Sequence, residues 1–120
     1  MQDFRKLLVW QKAHHLALRT YQITHDFPRD ELFGLRNMMR KAGIDIPAYI
    51  AEGYGRTNDA DFQRSIDGAM AVSNRLEYYA VMAHDLEFFS DDLHVSYEKD
   101  VIEVRQMLSG LKKRLTAARN

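Results

Sequence analysis

The chain of 120 residues contains no cysteine, so disulfides and thiolate-bound zinc or iron–sulfur centres are excluded. No apolar run approaches the roughly 18 residues of a membrane-spanning helix. The first residues do not resemble a secretion signal, so we expect a cytoplasmic protein without a membrane partner. Only two prolines and six glycines interrupt the chain, which leaves long segments free to form regular structure.

The chain also lacks net charge, since 17 basic residues balance 17 acidic ones. Dedicated nucleic-acid-binding domains usually carry a basic excess, so this balance lowers the expectation of nucleic-acid binding without forbidding it. Hydrophobic residues make up 46% of the chain and charged residues 28%, which is ordinary for a soluble globular protein. At this length, residues 1–120 fit a single domain with its own core.

Apolar residues recur at steps of three and four in four segments, and this spacing predicts four helices. The segments span about 3–25, 32–53, 59–87 and 91–116. Their predicted core faces are Leu7, Trp10, Ala13, Ala17 and Tyr21; Leu32, Leu35, Met39, Ala42, Ile46 and Tyr49; Phe62, Ile66, Ala69, Ser73, Leu76, Ala80 and Ala83; and Leu93, Tyr97, Val101, Val104, Leu108, Leu111 and Leu115.

No segment alternates with period two for long enough to predict a strand. Short connections between long helices predict an all-α protein, an antiparallel up-down-up-down four-helix bundle. The cap candidates of the third helix are Thr57, Asn58 and Asp59, and those of the fourth are Ser90 and Asp91. Gly110 weakens the fourth helix by about 1 kcal/mol relative to alanine, so we expect a close neighbour there.

Residues 40–56 depart from an ordinary surface helix. Pro47 stands in the middle of the second helical pattern, where proline costs about 3 kcal/mol and bends a helix. Glu52 follows an apolar stretch and precedes Gly53 and Gly55, whose left-handed conformations are predicted to end the helix. We interpret Glu52 as a brace that pairs with Arg40, Lys41 or Arg56, and alternatively Arg56 as a phosphate contact.

The sequence lacks the residue patterns that common catalytic sites require. No glutamate is followed three residues later by histidine, as di-iron bundles require, and the histidines are dispersed. No serine stands in a recognisable nucleophile motif, and the glycines at 53 and 55 follow a helix rather than a strand. We therefore predict no enzyme activity, no catalytic residues, no metal site and no cofactor.

The chain resembles the four helix bundle protein family first noticed as reading frames within intervening sequences of bacterial 23S rRNA genes. The resemblance is carried by Leu8–Ala13, Phe27-Pro28, Gly34-Leu35 and Leu76-Glu77. Its most distinctive part is the motif at 40–56, with Ile46, Pro47, Ala51, Glu52, Gly53, Gly55 and Arg56. The resemblance implies a ring-like homopentamer without established enzymatic activity. A related bundle is an accessory protein of diversity-generating retroelements, which binds RNA and a reverse transcriptase.

The chain departs from the family pattern at several positions that are small or polar in relatives. These are Met38, Asp45 and Tyr49 in the second helix, and Ala71, Val72 and Arg75 in the third. The departures leave open whether the family's assembly is kept.

Two function hypotheses remain. The first is an oligomeric binding or scaffolding protein, because adjacent aromatic pairs cannot both face one core and outward aromatics favour interfaces. Its interface candidates are Tyr78, Tyr79, Phe88 and Phe89. The alternative is an RNA-binding accessory protein that uses Arg36, Arg40, Lys41, Arg56, Lys112, Lys113 and Arg114, concentrated by the ring.

Overall fold

The computed structural model describes residues 3–31, 33–55 and 58–119. They form four α-helices, namely α1 (Leu8–Ile23), α2 (Leu35–Tyr54), α3 (Asp59–Asp85) and α4 (Asp91–Arg119). Two 3₁₀ turns, Phe4–Lys6 and Arg29–Glu31, precede α1 and α2. No strand occurs within these described residues, so the predicted all-α class with four helices is confirmed. None of the described helices has the length and apolar content needed to cross a membrane.

Side-chain caps fix the starts of α3 and α4. The side chain of Asn58 accepts a hydrogen bond from the Asp61 backbone N–H at 2.9 Å. The Ser90 hydroxyl accepts one from the Leu93 backbone N–H at 3.1 Å. Each bond satisfies a donor that has no partner inside its helix. Each cap is one of the candidates expected from the sequence: Asn58 from residues 57–59, and Ser90 rather than Asp91.

Helix α2 begins later than the pattern predicted. Leu32, the predicted start of its core face, lies outside the described residues. The 3₁₀ turn at 29–31 comes first, and the α-helix proper starts at Leu35, whose backbone N–H donates to the Glu31 carboxylate at 2.8 Å. Negative charge therefore stands at the start of the helix, where the helix dipole favours it.

The core faces of α3 and α4 agree with the predicted ones. All seven predicted residues of α3 are buried, as are Tyr97, Val101, Val104 and Leu108 in the middle of α4. Among the pairs of helices in contact, α2 and α3 share the most extensive interface, and α1 and α4 share the smallest. The core is therefore tightest around α2 and α3 and most open between α1 and α4.

The predicted core face of α1 was wrong at one end. Tyr21 is 41% exposed, whereas Leu16 and Thr20 are buried. The Arg40 guanidinium lies over the Tyr21 ring, 4.5 Å from its centroid, and holds it at the surface beside α2. Thr20 can be buried because its hydroxyl donates to the Leu16 carbonyl at 2.7 Å.

Pro47 is buried inside α2 and the helix continues through it, as predicted. The predicted role of the glycines at the end of α2 was wrong. Gly55 has a φ of −80°, and none of the described glycines has a positive φ. Gly53 is instead needed for space, because a Cβ there would lie 2.4 Å from the Ser65 Cβ. The close approach of α2 and α3 explains this glycine.

Candidate functional site

The family motif is mostly a packing element. Ile46, Pro47 and Gly53 are buried between α2 and its neighbours, and Ala51 is half-buried. Glu52 and Gly55 are exposed at the end of the helix, while Arg56 lies outside the described residues. The close contact at Gly53 recurs one turn earlier along α2, where a Cβ on Gly68 of α3 would lie 2.8 Å from the Tyr49 ring.

Arg40 binds the end of α1 and Arg36 binds the connection that follows it, so neither forms a free cationic surface. The Arg36 guanidinium donates to the carbonyls of His25, at 3.2 Å, and of Phe27, at 2.8 Å. Arg40 donates to the Thr24 hydroxyl at 2.9 Å and to the Tyr21 carbonyl at 3.1 Å. The last turn of α1 has no basic residue of its own, so Arg40 supplies a cation at the negative end of its dipole, whereas Arg36 satisfies carbonyls of the connection between α1 and α2.

The other predicted cations differ in how they are bound. Lys41 pairs with Asp45 one turn along α2 at 3.0 Å, and Lys112 of α4 reaches Asp67 of α3 at 2.6 Å. Lys113 and Arg114 are exposed. The structure therefore does not bring the two predicted basic clusters together.

The four aromatic interface candidates occupy different environments. Phe89 is buried, with its ring 5.4 Å from that of Phe27, and Phe88 is half-buried against the same Phe27 ring at 5.2 Å. Tyr79 packs partly against the core. Tyr78 is 59% exposed and is the member of the set that stays open to a partner. Phe89 belongs to the core and offers no surface.

Tyr78 is one of four apolar residues that lie near one another on the outer side of α3 and α4. Cross-helix bonds such as Arg105 to Asn74 set the register, which places Tyr78 level with Ile102 of α4. Val95, one of the most exposed apolar residues of the chain, lies two turns from Ile102 along the same side of α4. Half-buried Val81 lies between them on α3. We call Tyr78, Val81, Val95 and Ile102 the Tyr78 strip.

A buried polar pair that sequence reasoning missed connects α1 and α4. The Tyr97 hydroxyl lies 2.6 Å from the Thr20 hydroxyl. Since Thr20 donates to Leu16, Tyr97 is the donor in this bond. Burial raises the pKa of the Tyr97 phenol above its ordinary value, so the group stays protonated. A tyrosine in a predicted core face was the available sequence signal, because a buried phenol needs a partner.

Ion pairs close the solvent side of this α1–α4 contact. Arg19 pairs with Asp100 and also donates to the Ser96 hydroxyl at 2.8 Å. Lys12 and Glu103 pair at 3.2 Å, two turns along α1. A cleft lies between these pairs, and its charged groups bind one another. The lysine, arginine and carboxylate side chains of the cleft are therefore paired, and His15 also lines it.

Two histidines meet where α3 passes into α4. The imidazoles of His84 and His94 stack with ring centroids 4.6 Å apart, and His84 Nε2 lies 2.6 Å from the Asp91 carboxylate. The hydrogen bond to Asp91 raises the pKa of His84. Within residues 3–31, 33–55 and 58–119, no three histidine or carboxylate side chains are grouped so as to hold a metal ion. The arrangement joins two helix ends.

A second cleft on the α1–α4 side is apolar. It lies between the first residues of α1 and the second half of α4 and is lined by Leu7, Leu8, Met107, Gly110 and Leu111. We call this cleft the α1–α4 groove. The predicted close neighbour of Gly110 is not found within the described chain, because a Cβ there would meet only the Arg114 guanidinium, at 3.6 Å.

Comparison with known proteins gives a consistent family and fold. A family model described as 23S rRNA-intervening sequence protein matches residues 5–110. The fold is similar to the crystal structure of a protein with unknown function from the S23 ribosomal protein family of Bacteroides thetaiotaomicron VPI-5482. That similarity has a TM-score of 0.80 at 22% identity and covers 88% of this chain and 99% of the other. No curated protein matches the chain significantly.

Proposed function

The chain belongs to the 23S rRNA-intervening sequence protein family, and we propose that it is a non-enzymatic, homo-oligomeric, cytoplasmic protein that binds or scaffolds partner macromolecules. The Tyr78 strip carries this proposal. Tyrosine and aliphatic side chains on an outer helix face favour a protein interface. The polar groups that could have formed a reactive site are instead bonded to helix ends or to one another, as with Arg40 and Asp100.

The proposed arrangement of the four helices is an antiparallel up-down-up-down bundle. The pairs Asp67–Lys112 and Gln63–Thr116 run in opposite chain directions along α3 and α4, which supports this order. Consecutive helices also pack on each other through short connections. In this arrangement the Tyr78 strip runs along one side of an elongated protomer, where a neighbouring copy can contact it.

Light scattering coupled to size exclusion tests the oligomer. We expect a particle of five times the chain mass of 14.0 kDa, because the family resemblance implies a pentamer. Tyr78→Ser should shift the particle toward smaller species, since it removes the aromatic side chain of the strip. The matched control is Ile44→Ser, which changes an apolar residue of α2 that is 45% exposed and lies away from the strip.

A monomer of the wild-type chain at micromolar concentration would refute the oligomeric proposal. Equal dissociation by Tyr78→Ser and Ile44→Ser would remove the Tyr78 strip as its interface. A dimer would show that the chain assembles differently from the ring that the resemblance implies.

RNA binding is the second candidate function, and the exposure of Lys113 and Arg114 favours it. Copies of these cations around a ring would concentrate positive charge from a neutral chain. Binding through phosphates should be independent of sequence and fall steeply between about 50 and about 200 mM salt. Filter binding with the Lys113→Gln/Arg114→Gln variant tests it, because these side chains do not support the core. Absence of RNA retention by the wild type at low salt would exclude this function.

A further inference from the structure

The second half of α4 extends beyond the start of α1. The pairs Thr20–Tyr97 and Lys12–Glu103 place the first turn of α1 beside the middle of α4. From there α4 continues to Arg119 alongside α3, whereas the 3₁₀ turn at 4–6 packs on α2 and not on α4. No described element continues the line of α1 beside this part of α4. Among the described residues, this side of α4 is therefore left uncovered.

The open space has an apolar floor. Leu8 is 63% exposed in the first turn of α1, and Met107 and Leu111 are half-buried on the facing side of α4. Single exposed leucines are common on protein surfaces, but these side chains line one continuous groove with Leu7. A helix with an apolar face would cover them all at once.

Gly110 lies at the middle of this floor. Glycine weakens the interior of a helix, and this one has no steric reason within the described chain, since its nearest neighbour is the flexible Arg114 side chain. A missing side chain lets another backbone approach closely, as at Gly53, where α3 occupies the space. At Gly110 no described residue takes the corresponding place.

The free charge on the edge of the groove is positive. Glu103 is paired with Lys12, which leaves Arg114 as the exposed charge beside Gly110 and Leu111. We propose that the α1–α4 groove docks an amphipathic helix of a partner protein, with its apolar face on Leu8, Met107 and Leu111 and a carboxylate on its edge against Arg114. This inference extends the proposed binding function by naming the chemistry of a partner.

Fluorescence anisotropy with designed peptides tests the groove. The probe is a labelled, capped helix of about 18 residues, with leucines at i, i+3, i+4 and i+7 and glutamates on the remaining face. A peptide of the same composition with a scrambled order lacks the apolar stripe, and a third peptide has lysine in place of glutamate. We expect the wild-type protein to bind the glutamate peptide at least about tenfold more tightly than either control.

Variants assign the binding to the groove. Gly110→Leu fills the floor from an open position and should weaken binding at least about tenfold, as should Leu8→Asp. Leu18→Asp is the matched control on an exposed α1 position outside the groove and should bind as the wild type does. Thermal unfolding followed by circular dichroism establishes that each variant folds.

Charge reversal tests the edge. Arg114→Glu should make the lysine peptide bind more tightly than the glutamate peptide. Lys113→Glu makes the same charge change on a neighbouring residue that does not line the groove, so the protein should still prefer the glutamate peptide. Equal effects of the two reversals would mean diffuse attraction and would overturn the proposal. Wild-type affinity in folded Gly110→Leu would overturn it as well.

Other occupants give different results. If no peptide binds and Gly110→Leu breaks the oligomer, a second copy fills the groove and the proposal fails. If RNA binds instead and both charge reversals weaken it equally, the cations serve nucleic acid and the proposal also fails. A monomeric wild type that still binds the glutamate peptide would refute the oligomer alone, so the two ideas fail separately.

Discussion

Gly53→Ala is expected to destabilise the protein because the added methyl group has no room. A Cβ at this position would lie 2.4 Å from the Ser65 Cβ and 3.0 Å from Phe62 Cδ1. Overpacking of a well-packed contact costs about 1–3 kcal/mol. The helical preference for alanine offsets at most about 1 kcal/mol, and less than that next to the end of α2. We expect the free energy of unfolding to fall by about 1–2 kcal/mol.

Gly110→Ala is the matched control, because it makes the same substitution where space is open. Its Cβ would contact only Arg114, at 3.6 Å, so the helical preference should prevail and stabilise the protein by about 1 kcal/mol. Urea unfolding followed by circular dichroism measures both variants. Protein concentration must be the same in all samples, because an oligomer's stability depends on it.

The double variant Gly53→Ala/Ser65→Gly tests the cause. Removing the Ser65 side chain should recover much of the loss, and the coupling between the two changes measures the contact. If Gly53→Ala is as stable as the wild type, or if its cost is the same with glycine at 65, the close approach of α2 and α3 does not explain this motif position.

Two further predictions concern buried and half-buried polar groups. Tyr97→Phe should lower the free energy of unfolding by about 1 kcal/mol, because the hydrogen bond to Thr20 is lost while Thr20 keeps its bond to Leu16; unchanged urea unfolding would contradict it. His84 should titrate above the ordinary histidine value of about 6.5, since its bond to Asp91 raises its pKa. Its contribution to stability is therefore complete below about pH 6.5 and is lost as the pH rises through the folded-state pKa. An NMR titration of the His84 ring measures this, and Asp91→Asn should reduce the shift, to which Asp85 also contributes.

The strongly periodic segments could be read from the sequence because their cores depend on local spacing. All seven predicted core residues of α3 are buried, and residue type and position limited the cap of α3 to residues 57–59, of which Asn58 fills it. Pro47 could be placed inside α2 because the apolar spacing continues on both sides of it. The family motif was likewise readable as a pattern, although its role was not.

Contacts between distant segments decided where the side chain of each candidate site residue lies and what it binds. Arg36 and Arg40 look like a cationic surface in the sequence, yet the packing of α1 on α2 places Arg40 on a carbonyl in the last turn of α1 and Arg36 on a carbonyl of the connection after it. Of the aromatic candidates, Phe89 lies in the core and Tyr78 at the surface. Residue type and spacing do not tell whether such a side chain is exposed or bound within the protein, because its partner lies far away in the chain.

The two glycines show the same division most clearly. From the sequence, Gly110 weakens the interior of α4 and calls for a reason, whereas Gly53 was expected to end α2. Only the tertiary structure decides that Ser65 fills the space at Gly53 while the space at Gly110 is open. Propensity is a property of the local backbone, whereas the space beside a helix depends on where distant helices begin and end.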